Sequence, residues 1–212
     1  MKPPAASAIV KRLEERIRSL LPQRGRVALA YSGGLSSTLL AMLVRKRWEL
    51  ECFAAGVKGS PDVLAAIAAR DHLDYRVEII ELDVATTLRI ARDLRTSYPS
   101  LSSRAIHALV PLAVVRERTR KRMLLTGFGT RRLDATFGSL LTGWKTESPL
   151  FEIFSRSIPG RASLQSAALS LGLPIEWTQT AHRTPAKGAG IDRFLRTIGP
   201  SGNRITPASK FH

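Results

Sequence analysis

The chain has a single cysteine, Cys52, among its 212 residues. That excludes an internal disulfide and any metal cluster built on thiolates. Aromatic residues make up only 6%, and Trp48, Trp144 and Trp177 stand singly, as packing residues do. No apolar run reaches the roughly 18 residues that cross a bilayer. The opening stretch MKPPAASAIVKRLEERIRSLL alternates charge with apolar residues as an amphipathic helix does, unlike a secretory signal. A reducing, cytoplasmic setting with no membrane partner is the expectation. Acid is scarce as well: 17 Asp and Glu stand against 33 Lys and Arg, for a net charge of +16. His72, His107, His182 and His212 share no metal-like spacing. His107, inside AIHALVPLAVV, reads as a packed side chain.

What is present fits one globular domain, with 44% hydrophobic and 24% charged residues. The basic residues are scattered, and only RERTRKR (116–122) and the pair Arg131-Arg132 are dense. A solvated basic surface and an RNA-binding face both fit this charge, and salt-dependent affinity for RNA separates them.

Hydrophobic periodicity predicts alternating helices and strands. Helix is expected over 5–21, strand over Val27–Tyr31, helix over 36–46 and strand over Leu50–Val57. Ser60 is placed to cap the next helix, with Pro61 at its first position. That helix runs to Leu73, followed by strand Tyr75–Leu82, helices Val84–Ser97 and Ser102–Lys121, and strand Arg122–Gly127. Segment 128–160 suits a short helix and a loop. Helix Ala162–Leu171, an extended segment Pro174–Thr180 and helix Ala186–Ile198 complete the pattern. The divisions are an N-terminal helix over 1–22, one domain over 23–198 and a flexible tail over 199–212. Strands joined by helices imply an α/β fold, a single doubly wound and mostly parallel sheet covered on both faces. Loops Ser32–Ser37, Val57–Asp62 and Gly127–Arg132 leave carboxyl ends of strands, where such sheets bind ligands.

The stretch RVALAYSGGLSSTLLAML (26–43) turns from strand to helix through two glycines and three hydroxyls. Gly33 and Gly34 permit positive φ and close backbone approach. The helix that follows offers free N–H groups, which favour an anion, phosphate above all. A ligand-free turn capped by Ser32 or Ser36 is the plain alternative.

Ser32-Gly33-Gly34-Leu35-Ser36-Ser37 resembles the SGGxDS signature of the PP-loop of N-type ATP pyrophosphatases. GVKGSPD (56–62), LLTGFGT (124–130) and RTPAKGAGI (183–191) are similar, in the same order, to segments of the asparagine synthase family's synthetase domain. The likeness is greatest to its short, archaeal-type stand-alone members. The resemblance implies an adenine nucleotide alpha hydrolase-like fold. It also implies ATP-dependent adenylation of a carboxylate, release of pyrophosphate, and displacement of AMP by an amine or ammonia. It assigns Ser32, Gly33, Gly34, Leu35, Ser36 and Ser37 to the pyrophosphate and the backbone of Val57 to adenine. Gly127 and Gly129 would allow close approach of the nucleotide, and Lys187 would neutralise phosphate charge in the transition state.

The match departs from the family at its acids. The loop aspartate is Ser36, the Glu of GEG is Phe128, and the acidic pair of GxGxDE aligns with Arg131 and Arg132. Serine is a poor ligand for Mg²⁺, and two guanidiniums repel a dication. Either Arg131 or Arg132 clamps phosphate in the metal's place, or the site keeps anion binding without the chemistry, or Asp62 or Asp134 supplies the metal. ATP is the expected cofactor, and Mg²⁺ lacks its usual ligands. The partners expected are a nucleotide and a small carboxylate. Lys2 stands where the family's glutaminase cysteine would be, so ammonia is expected free or from a separate chain. Three functions are weighed: an amide-forming ligase, a tRNA-modifying enzyme and a non-catalytic nucleotide-binding domain.

Overall fold

A computed structural model describes residues 6–73, 76–119, 123–127, 146–147, 161–179 and 184–198. Phe128, Gly129, Arg131, Arg132, Asp134, Trp144, His182, Arg183 and the expected tail 199–212 lie outside the described residues, as does most of segment 128–160.

The chain begins with α1 (Ala6–Leu20), whose Ile9, Leu13 and Ile17 recur every four residues and are buried. Strand β1 (Arg26–Ala30) and helix α2 (Leu35–Val44) follow, then β2 (Glu49–Gly56), α3 (Pro61–His72) and β3 (Val77–Glu81). Helices α4 (Val84–Ser97) and α5 (Ser103–Thr119) come before β4 (Leu124–Thr126) and β5 (Thr146–Glu147). Last are α6 (Arg161–Ser170), α7 (Ile175–Thr178), α8 (Pro185–Gly188) and α9 (Ile191–Ile198).

The five strands form one sheet in the order β3-β2-β1-β4-β5, and every ladder is parallel. Period-two alternation sends neighbouring strand residues to opposite faces. On one face Val27, Leu29, Cys52, Val77 and Leu125 pack under α1, α2, α3 and α6. On the other, Ala28, Phe53, Ala55 and Leu124 pack under α4, α5 and the α8–α9 segment. This is the doubly wound α/β fold expected. Helix α2 is apolar nearly all round because it is buried nearly all round, with Leu39, Leu40, Ala41 and Val44 inaccessible or almost so. After β3 the chain crosses β2 and β1 to reach β4. The topological switch point therefore lies at the carboxyl ends of β1 and β4.

Two expectations are corrected. Segment Pro174–Thr180 was expected to be extended, but Ile175–Thr178 is one turn of helix. Its last carbonyl, that of Thr178, accepts from Gln165 Nε2 (2.9 Å) and from the Arg161 guanidinium (3.3 Å), so α6 satisfies a group the helix end leaves open. The single helix expected over Ala186–Ile198 breaks at Gly190, which stands at φ +76° against Ser60 and Val57. Ala189 there accepts the Val57 N–H (2.9 Å), and this tertiary bond overrides helical continuity. Ser60 and Pro61 do begin α3 as expected. The Ser60 hydroxyl nevertheless makes no capping bond and is buried without a partner.

Candidate functional site

Strand β1 ends at Ala30, and Tyr31 is locked in place by its hydroxyl's 3.0 Å bond with Thr38 Oγ1 on α2. The chain then reverses through Gly33 at φ +66°. A Cβ at Gly33 would lie 2.4 Å from the Ala65 Cβ on α3, so packing as well as φ requires glycine here. Gly34 is the residue that caps α2. Neither Ser32 nor Ser36 takes that place, and no side chain bonds as a cap.

Ser37 is the brace of the loop. Its buried hydroxyl accepts from the Ser32 N–H (3.3 Å), donates to the Gly34 carbonyl (3.0 Å) and pairs with Ser32 Oγ (3.3 Å). Ser32 Oγ in turn accepts from the Gly34 N–H at 3.4 Å. With its hydroxyl so engaged, Ser37 can offer a ligand only its amide. Leu35 likewise offers only its amide, its side chain being buried. By helix geometry the amides of Leu35, Ser36 and Ser37 have no acceptor one turn back.

What lies over those amides decides their use. At Gly34 a Cβ would meet only Ser32 Oγ, at 3.3 Å, among the described residues. Gly127, directly after β4, approaches from the other side. A Cβ there would sit 3.0 Å from the Ser37 nitrogen and 3.3 Å from the Ser36 Cβ. The bare Gly127 thus brings β4 against the start of α2 without a side chain covering the Ser37 amide. Loops Ser32–Ser37 and Gly127 therefore converge, and Gly33 joins them to α3. Three adjacent amides at the positive end of a helix suit an anion.

The second loop is more self-contained. Val57 donates its N–H to Ala189, and its carbonyl accepts from the Ser60 N–H (2.9 Å), so both backbone groups are engaged within the protein. At Gly188 a Cβ would fall 2.3 Å from either Asp62 carboxylate oxygen. Lys187, one residue earlier, is exposed on the one-turn helix α8. Lys187 and Val57 are thus gathered around the start of α3, beside the β1–α2 loop that Ala65 touches.

No group of three or more histidines, cysteines or carboxylates among the described residues could hold a metal ion by itself. Position 36 provides a neutral hydroxyl, a weak donor for a hard dication.

His107, read from sequence as a packing residue, is half-buried. Its Nδ1 lies 3.0 Å from Asp192 Oδ1, tying α5 to α9. The 85-residue separation of that pair gave no sequence signal. Cys52 is buried in β2, where desolvation pushes its thiol up to about 12.

Residues 26–137 match a family described as a family of unknown function (DUF7411). The probable glutamine-hydrolysing asparagine synthetase of Acanthamoeba polyphaga mimivirus is 26% identical over 133 residues, covering 59% of this chain and 24% of that protein. Asparagine synthetase B of Escherichia coli K12 is 26% identical over 147 residues, covering 61% of this chain and 26% of that protein. The chain spans about a quarter of the length of these curated relatives. Among solved structures, a "predicted subunit of tRNA methyltransferase" from Methanocaldococcus jannaschii is similar at 15% identity and a TM-score of 0.44, covering 75% of this chain and 94% of that one. No helix among the described residues is long and apolar enough to cross a membrane.

Proposed function

The chain belongs to a family of unknown function (DUF7411), and we propose that it is a PP-loop protein that binds ATP by its terminal phosphates at the start of α2. The observation that carries this reading is the turn from β1 into α2, where Gly34 and Gly127 put no side chain beside the amides that open the helix and Ser37 fixes the loop from behind. Donors already held in place need no reorganisation when charge develops on a phosphate. The similarity to asparagine synthetases over more than half of the chain supports ATP as the anion and carboxylate adenylation as the chemistry.

In that reaction a carboxylate oxygen attacks the α-phosphorus and the bond to the bridging oxygen breaks. Pyrophosphate leaves onto the α2 amides, and an amine then displaces AMP to form the amide. Lys187 and the pair Arg131 and Arg132 supply positive charge to the phosphates, with arginine's fork suited to two oxygens at once. No step is assigned to Mg²⁺.

The test is incubation of the protein with ATP, ammonia and a panel of carboxylates, with AMP and pyrophosphate measured. Release of both that depends on one carboxylate supports the ligase. A second reading, nucleotide binding without turnover, is favoured by the neutral Ser36 at the loop. It predicts calorimetric ATP binding that magnesium leaves unchanged, with no AMP formed from any carboxylate.

A further inference from the structure

Two segments far apart in the chain meet in a pair with acid–base character. His107 Nδ1 on α5 stands 3.0 Å from Asp192 Oδ1 on α9. An ionised carboxylate can only accept, so the bonded nitrogen carries the ring's hydrogen and Nε2 keeps its lone pair. Nε2 bonds no described residue. It is also not among the buried atoms that lack a partner, so it is open to solvent. The side chains of His107 and Asp192 are 25% and 18% exposed, set into the surface and not held off it. A mere tie between α5 and α9 would need no free nitrogen facing outward.

The pair stands at the carboxyl edge of the sheet, where the candidate phosphate site also lies. Helix α5 feeds β4 and so runs against it. His107, fifth of the helix's 17 residues, is about 18 Å along the axis from Thr119. A five-residue strand spans about 16 Å, so that rise brings His107 level with the far ends of the strands. Asp192 arrives by a separate route. Ala189, three residues before it, takes the Val57 N–H just past the end of β2, and Gly190 packs on Val57 and Ser60. Lys187 lies five residues before Asp192 on the same segment. A base and a cation thus reach the edge that holds the α2 amides, the base from the face of the sheet opposite α2.

We propose that His107 is the general base of amide formation and Asp192 its positioning residue, a role that rests on the adenylation reading above. In the second half-reaction the amine nitrogen bonds to the acyl carbon and must shed a proton. The C–O bond to the phosphate breaks, AMP leaves with the electron pair, and the proton passes to Nε2 and on to solvent. Asp192 holds the ring in the tautomer that leaves Nε2 free and stabilises the imidazolium that forms. The first half-reaction has no such need, because its nucleophile is a carboxylate that is already ionised.

The test reads the two half-reactions apart in the full chain. Exchange of labelled pyrophosphate into ATP with the same carboxylate panel measures adenylation, and amide formation with ammonium chloride measures the second step. His107→Gln retains a donor for Asp192. It is expected to keep the exchange while slowing amide formation about 10²- to 10⁴-fold. Asp192→Asn, whose amide donates to Nδ1 and leaves the hydrogen on Nε2, is expected to slow the same step and spare the exchange. Hydroxylamine, a weaker base and a stronger nucleophile than ammonia, is expected to narrow the gap between His107→Gln and wild type. Undiminished amide formation by His107→Gln would overturn the proposal. So would a fall of exchange and amide formation in equal proportion, the mark of a purely structural pair. Absence of exchange in the wild type would instead sink the adenylation reading, and this role with it.

Discussion

Replacing Gly34 with valine separates the fold of the loop from its ligand. Gly34 has φ −79° and ψ 161°, extended values open to any residue, and a Cβ there meets only Ser32 Oγ at 3.3 Å. The change is therefore expected to alter folding stability by no more than about 1 kcal/mol, which in a domain of this size moves the melting temperature by about 2–4 °C. The branched side chain nevertheless stands at the cap of α2, beside the Leu35 amide. Losing one hydrogen bond to a charged phosphate costs about 1.5–3 kcal/mol. At 1.4 kcal/mol per decade, the Kd for ATP rises about 10- to 150-fold. Titration calorimetry with ATP, run beside a thermal melt of the same preparation, reads both quantities. An unchanged ATP affinity with an unchanged melt would refute the placement of the phosphates at this helix end.

Gly33→Ala is expected to act the other way. Its φ of +66° costs an L-residue about 1–2 kcal/mol, and its Cβ would collide with Ala65 on α3. The combined loss of about 2–4 kcal/mol lowers the melting temperature by about 5–15 °C, measured by scanning calorimetry. Ser36→Asp alone is expected not to confer strong Mg²⁺ binding while Arg131 and Arg132 remain, and a calorimetric Mg²⁺ titration showing tight binding would remove the argument from those arginines. The thiol of Cys52, raised to about 12 by burial, is expected to resist iodoacetamide in the native protein and react once urea unfolds it. Because the folded pKa is the higher one, this stabilisation is whole below the free thiol's value of about 8.5 and is lost as pH rises from there towards 12.

Much of the fold was legible because its signals are local. The apolar run ending at Tyr31, the two glycines and the apolar helix after them define β1, the turn and α2 without help from elsewhere. Helix Val84–Ser97 was read to the residue, helped by Asp83, whose carboxylate accepts the Thr86 N–H at 2.7 Å. The misses are tertiary. A four-residue helix such as α7 is too short to show a period, and it depends on Arg161 and Gln165 of another helix. The break at Gly190 depends on a bond from Val57, far away in sequence. In the candidate site, the strand-to-helix turn was visible, but the division of labour among its hydroxyls was not. Ser36 and Ser37 look equivalent as letters, yet one is half-buried with its hydroxyl free of the loop's bracing and the other is buried behind the loop, holding it together. That Gly127 lies against the start of α2 is a tertiary contact with no local signal in the sequence.

The stretch that defines the family, residues 26–137, contains β1 through β4 but neither α1 nor α6. Those two helices lie against each other across one face of the sheet, with Ile9, Leu13 and Ile17 meeting the same cluster as Leu164, Ala167 and Ala168. A family-sized fragment would lose the cover that these two helices give to α2. The part by which relatives are recognised is thus smaller than the part that keeps water out.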